Sequence, residues 1–258
     1  MEITATLVKE LREKTGVGMM ECKKALSESQ GDLEKAIQYL REKGIATASK
    51  KSDRHASEGS IFTLIKGDKG VILEVSCETD FVAKNDDFQR LGHSLCEAVL
   101  AGNIKTVEEI PTAKITELVL KLGENISVRR MQVLGGELCD YIHLNGKIGV
   151  MVEFSKKVSE ELGKDVAMHV AAANPQYLKR DQVPAKEVET EKEIIRNQAL
   201  NEGRPAQVVD KIVEGRVAKF FKDVCLLEQP FVKDQDKTIQ KLFPADTTIN
   251  QFVRYSIG

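Results

Sequence analysis

At 258 residues the chain can bury at least one substantial core, and its length is a prior for one to two domains. Hydrophobic residues make up 41 % and charged residues 30 %, an ordinary globular composition, while a formal charge of −2 supplies no general field for nucleic acid or anionic lipid. The N-terminal MEITATLVKELREKTG has no apolar signal-peptide core and no stretch reaches membrane-span length, so a cytoplasmic chain without membrane contact is expected. Cys22, Cys77, Cys96, Cys139 and Cys225 are odd in number, widely spaced and never C-x-x-C, which points to reduced core thiols rather than a disulfide frame or zinc site.

The first elements form a small helical unit, residues 1–45. Leu7, Val8 and Leu11 give an apolar face that stops at TGVG; Met19, Met20, Ala25 and Leu26 give a second that stops at Gly31. A third helix is predicted to start at Asp32 as N-cap, to present Leu33, Ala36, Ile37 and Leu40, and to end before Gly44. The following ATASKKSDRHASEG has almost no apolar content, so residues 46–59 are predicted to be an exposed linker.

Next, IFTLIKGDKGVILEVS predicts a strand, a glycine-bounded turn and a strand. In the second strand Val71, Leu73, Val75 and Cys77 alternate with Ile72, Glu74 and Ser76, the period of a half-buried strand. CETDFVAKND then places Asp80 and Phe81 side by side in a turn, before helical FQRLGHSLCEAVLAG and β-rich ENISVRRMQVL. The same order recurs: YIHLNGKIGVMVEFS is a hairpin about Asn145-Gly146, ELGKDVAMHVAAAN a helix, and TINQFVRYSI a strand. Between the last two, residues 186–221 are charged, helix-prone and broken at Gly203-Arg204-Pro205. They read as two antiparallel helices with a seam of Val188, Ile194, Ile195, Val208, Val209, Ile212, Val213 and Val217. The predicted fold is α+β, with a duplicated core of two small antiparallel sheets, each with helices on one face. Residues 60–135 form the first half, 136–185 with 222–258 the second, and 186–221 an inserted helical hairpin.

Catalytic patterns are missing. His55, His93, His143 and His169 form no H-E-x-x-H and no triad signature, and His93 and His169 read as hydrogen-bonded structural histidines on apolar helices. GVGMMECKK lacks the third glycine of a dinucleotide fingerprint, and NGKIG lacks the frame of a phosphate loop. Adjacent pairs such as Glu108-Glu109 do not share a helix face, and Lys50-Lys51 and Arg129-Arg130 read as solvated surface. With no Trp and 5 % aromatics, the chain offers no stacking platform for RNA. No catalytic residue, metal site or cofactor is assigned.

Three stretches in register, LVKELREKTGVGMMECKKAL from Leu7, TDFVAKND from Thr79 and MHVAAANPQYL from Met168, closely resemble bacterial translation elongation factor Ts, the guanine-nucleotide exchange factor for elongation factor Tu. The resemblance implies a ubiquitin-associated-like N-terminal module, a duplicated α+β core and a coiled-coil-like hairpin that self-associates in some relatives. It implies elongation factor Tu, GDP-bound and nucleotide-free, as partner, no direct nucleotide binding by this chain, and no chemical catalysis. It also implies that Thr79, Asp80, Phe81, Val82, Ala83, Lys84 and Asn85 are set beside the partner's magnesium and nucleotide site. The phenyl ring of Phe81 would enter an apolar slot and the Asp80 carboxylate would lie close by. Arg12, Met19, Met20, Lys23, Gly123, His143 and Val232 match other partner-contacting positions, although Met19 or Met20 must also help close a tiny core. Many relatives continue into a helical C-terminal module where this sequence ends at FVRYSIG, and the contacts of that module are expected to be absent.

Two rival readings differ in what they predict. A ribosome- or RNA-associated module, suggested by Lys50, Lys51 and Arg54, would bind RNA with steep salt dependence and lack exchange activity. A cytosolic enzyme with a dispersed site would turn over a small molecule and depend on His143.

Overall fold

The computed structural model describes residues 3–258 and divides them into two compact units. The first takes in the described residues up to Val133, with Leu144–Gly149 and Tyr255–Gly258; the second comprises Leu134–His143 and Val150–Arg254. Among the described residues there are nine α-helices and three small sheets, an α+β arrangement. No described helix is long and apolar enough to cross a membrane.

The first unit opens with α1 (Ala5–Thr15), α2 (Met19–Glu28) and α3 (Leu33–Lys51). Gly16 ends α1 at φ +67°, a left-handed cap that suits a residue without Cβ. Asp32 caps α3, its Oδ1 accepting from the amides of Glu34 at 3.0 Å and Lys35 at 3.1 Å. Val8, Leu11, Val17, Cys22, Ala25, Leu26, Ala36 and Leu40 close the small core. Met19 and Met20 stay exposed, so neither helps to close it.

Helix α3 corrects the expected boundary. It passes through Gly44 and runs to Lys51, so residues 46–51, expected as linker, are helical. Gly44 is buried where α3 packs along α6 (Ala113–Leu122), and a Cβ there would stand 3.1 Å from the Thr116 carbonyl oxygen. The glycine is a contact point between helices rather than a stop. The N-terminal helices therefore lie in the same unit as the first core half.

That half is built on β1 (Glu58–Lys66) and β2 (Lys69–Cys77), antiparallel from Glu58 opposite Cys77 to Lys66 opposite Lys69, with β3 (Ser127–Gly135) on the far side of β2. Val71, Leu73, Val75 and Cys77 face Phe88, Leu91, Leu95, Cys96 and Val99 of α5 (Asp86–Gly102), so a period of 2 meets a helical face in one core. The other face of β2 is not solvated as the alternation suggested: Ile72 and Ser76 are buried and Glu74 is only 1 % exposed. A buried carboxylate requires partners. Arg130 donates to Glu74 at 2.6 Å and Arg129 lies 3.6 Å away, so the two arginines read as plain solvated surface have their head groups at a buried acid.

In the second unit the sheet order is β4 (Glu137–His143), β5 (Ile148–Phe154) and β8 (Ile249–Ser256), with α7 (Glu160–Ala173) packed on β4. The turn before β5 spans residues 144–147, wider than a two-residue hairpin loop, and Leu144 and Asn145 both take positive φ. A further pair, β6 (Pro230–Phe231) and β7 (Asp234–Thr238), had no counterpart in the sequence reading. Helices α8 (Ala185–Asn201) and α9 (Ala206–Val224) pack through Ile195, Ala199, Val209, Val213 and Val217. Ile194 and Val208, assigned to this seam from sequence, are exposed.

His169 is buried, and its Nε2 lies 3.0 Å from Gln229 Oε1 while Nδ1 accepts from the Val232 amide at 3.3 Å. The acceptor role of Nδ1 leaves the proton on Nε2. His93, expected to be similar, is exposed with its ring edge-on to Phe62 at 5.3 Å. Burial also pushes the thiols of Cys77 and Cys96 up to about 12 and that of Cys225 to about 11.

A larger side chain at position 44 tests the helix contact. Gly44→Val forces a branched side chain against the Thr116 backbone, and a loss of ~1–3 kcal/mol is expected from such overpacking. A urea midpoint equal to that of the parent would show that α3 does not rest on α6.

Candidate functional site

The stretch that follows β2 is a single-turn helix, α4 (Asp80–Ala83), between two caps. Thr79, in extended conformation, accepts the Val82 amide on Oγ1 at 3.3 Å. Asn85, also extended, accepts the Asp87 amide on Oδ1 at 2.8 Å and so starts α5. Seven residues, Thr79 to Asn85, thus hold two helix starts, and the chain between them has little freedom. Val82 and Ala83 are buried in the core of the first half.

Phe81 points the other way and is 82 % exposed, the most exposed of the large apolar side chains described. The ring therefore does not fold back on its own sheet. Asp80 and Lys84 form an ion pair at 2.7 Å; the ammonium holds the carboxyl below its usual range and is itself shifted up by it. Both side chains are largely in water, so the pair adds little stability.

Two side chains from elsewhere grip the turn. Gln89 of α5 donates to the Ala83 carbonyl at 2.7 Å and to Ser60 Oγ at 3.3 Å. Glu124 accepts from the amides of Glu78 and Thr79 and from the Thr79 hydroxyl. Sequence reasoning missed both: each is a common polar residue whose meaning comes from the groups that the fold sets beside it, six residues away for Gln89 and about 45 for Glu124. The one local hint was the glycine before Glu124, since Gly123 ends α6 at φ +79° and redirects the chain there. Gly123 also accepts a hydrogen bond from Lys51.

Arg12, Met19, Met20 and Lys23 are exposed around the turn between α1 and α2, where Met20 reaches 77 % exposure. His143 and Val232 belong to the second unit: His143 is half-buried with Nδ1 3.0 Å from the Tyr141 hydroxyl, and Val232 is exposed after β6. Among the described residues no group of three or more His, Cys, Asp or Glu side chains could hold a metal ion.

Residues 78–258 match the family model described as Elongation factor TS, which covers more than half of the chain. The chain belongs to the elongation factor Ts family. The elongation factor Ts match opens at Glu78, and so takes in the capped turn together with Gly123, His143 and Val232, while Arg12, Met19, Met20 and Lys23 precede it.

Two outcomes follow for this elongation factor Ts chain. Removing an exposed ring leaves the core untouched, so the melting temperature of Phe81→Ala should correspond to a change within about ±0.5 kcal/mol. Burial lowers the pKa of His169, partly offset by the Gln229 bond. Its contribution is therefore complete above the unfolded value of about 6.5 and is lost as pH falls below it towards the lower folded value. Denaturation at pH 7.5 and pH 5.5 should give lower stability at the acid pH, and His169→Gln should flatten that slope.

Proposed function

We propose that this chain binds elongation factor Tu in its GDP-bound form and promotes GDP release by disturbing the partner's magnesium and nucleotide site. The single observation that carries the reading is Phe81, a phenyl ring almost fully in water on a turn capped at both ends. Transferring such a ring into an apolar slot is worth ~1.5–3 kcal/mol. If the slot opens only when the partner's helices shift, that energy is realised only in the strained complex, and the strain loosens magnesium and the diphosphate it neutralises. Asp80 lies beside the ring without chelating the metal, and Lys84 keeps its carboxylate ionised and oriented.

The remaining candidates supply affinity. The three N-terminal helices, which we read as a ubiquitin-associated-like module, would bring Arg12, Met19, Met20 and Lys23 to the GTPase, where exposed methionines form an adaptable surface. His143 and Val232 would make further contacts, and Gly123 acts through its place at the end of α6. The α8 and α9 pair would form a coiled-coil-like arm. No covalent bond is made or broken, so the chain acts by differential fit to two states of its partner. Linkage requires that nucleotide weaken the factor as much as the factor weakens nucleotide, so GTP in excess displaces it.

Release of labelled GDP from elongation factor Tu is the test. The unmodified chain should accelerate release, and Phe81→Ala should lower the rate about tenfold to a hundredfold, the equivalent of ~1.5–3 kcal/mol. Asp80→Ala should cost less, and excess magnesium should oppose the residual exchange. No acceleration by saturating unmodified chain would overturn the reading.

A further inference from the structure

We infer that Glu124 is the positioning residue of the Phe81 turn, and that its neighbours Gly123 and Asn125 fasten that turn to the end of α3. In its functional arm this rests on the exchange reading above; its structural arm stands alone. Glu124 Oε2 accepts from the Glu78 amide and the Thr79 amide, each at 3.0 Å, and Oε1 accepts from Thr79 Oγ1 at 2.6 Å. The same hydroxyl oxygen accepts the Val82 amide. One carboxylate therefore fixes the two residues entering the turn and orients the hydroxyl that caps it. Hydrogen bonds to an ionised acceptor are about twice as strong as neutral ones.

The clasp is reciprocal. Glu78 Oε1 accepts the Asn125 amide at 2.7 Å, so each acidic side chain holds the backbone beside the other. Arg54, 3.5 Å from Glu78, offsets the repulsion between the two carboxylates. Asn125 is buried and its Nδ2 donates to the carbonyls of Ser52 at 3.2 Å and Arg54 at 2.9 Å, just past α3. Lys51, the last residue of α3, donates to the Gly123 carbonyl. Three consecutive residues thus join the wedge to the N-terminal helices. A carboxylate that merely solvated a helix end would have none of these partners, and the exposed Asp80 and Lys84 pair is too weak to take its place.

The test compares the full chain with Glu124→Ala, Glu124→Gln and Thr79→Val. Amide hydrogen exchange at Glu78, Thr79 and Val82 is read alongside labelled GDP release from elongation factor Tu, in maximal rate and half-saturating concentration. In Glu124→Ala, protection at the three amides should fall by about tenfold or more, and the maximal rate should fall by a similar factor with a smaller change in half-saturation. Glu124→Gln keeps an oxygen for the two amides and should recover much of both. Unchanged protection in Glu124→Ala would overturn the structural inference. Lost protection with an undiminished maximal rate would overturn the positioning role. If the unmodified chain does not accelerate release at all, the exchange reading fails while the protection data still decide the clasp. Should Glu124→Ala not fold, Thr79→Val removes one bond of the clasp together with the cap, and should move both readouts in the same direction by less.

Discussion

The ring of Phe81 is in water, so only the backbone beneath it decides where it points. A buried side chain is held by its neighbours, but an exposed one must borrow its orientation. Here the lender is a short run of hydrogen bonds to Thr79, Ala83 and Asn85, the first from the loop before β3 and the other two from α5. Because Val82 and Ala83 are in the core next to the exposed ring, the turn cannot rotate without exposing apolar surface. Rigidity and exposure therefore come from adjacent residues with opposite environments.

The proposed action depends on that rigidity. A mobile ring would occupy an apolar slot only after losing its own conformational freedom, and part of the insertion energy would go to ordering the turn. A ring already in place would deliver nearly all of that energy to the proposed partner. The raised thiol pKa values of Cys77 and Cys96, both in the core of the same half, keep those side chains protonated and inert.

Much of this could be read in the sequence because it is local. The β1 and β2 hairpin follows from alternation around a glycine turn, α5 from its helical period, and the cap at Asp32 from residue type and place. What failed depended on distant partners. Gly44 resembles a helix stop until the Thr116 carbonyl beside it is seen, and ATASKK resembles a linker because a helix supported by another helix needs few apolar residues of its own. Glu74 was assigned to solvent because an acid in a strand usually is, whereas two arginines from β3 let it be buried. Phe81 was the reverse case: only the resemblance pointed its ring outward, and the geometry leaves it in water. Glu124 carried no signal strong enough to single it out.

The uninterrupted α3 has a further consequence for how several weak contacts add. Its 19 residues span about 28 Å as an α-helix, with the N-terminal core at one end and the wedge clasp at the other. A flexible tether would let the two contact surfaces sample many separations, and the local concentration of the second after the first has bound would be an average over mostly useless ones. A stiff spacer sets one separation. In the proposed complex it would raise that concentration steeply for a partner whose two sites match the span and cut it almost to nothing for one whose sites do not, so the helix would act as a ruler that selects partners by distance.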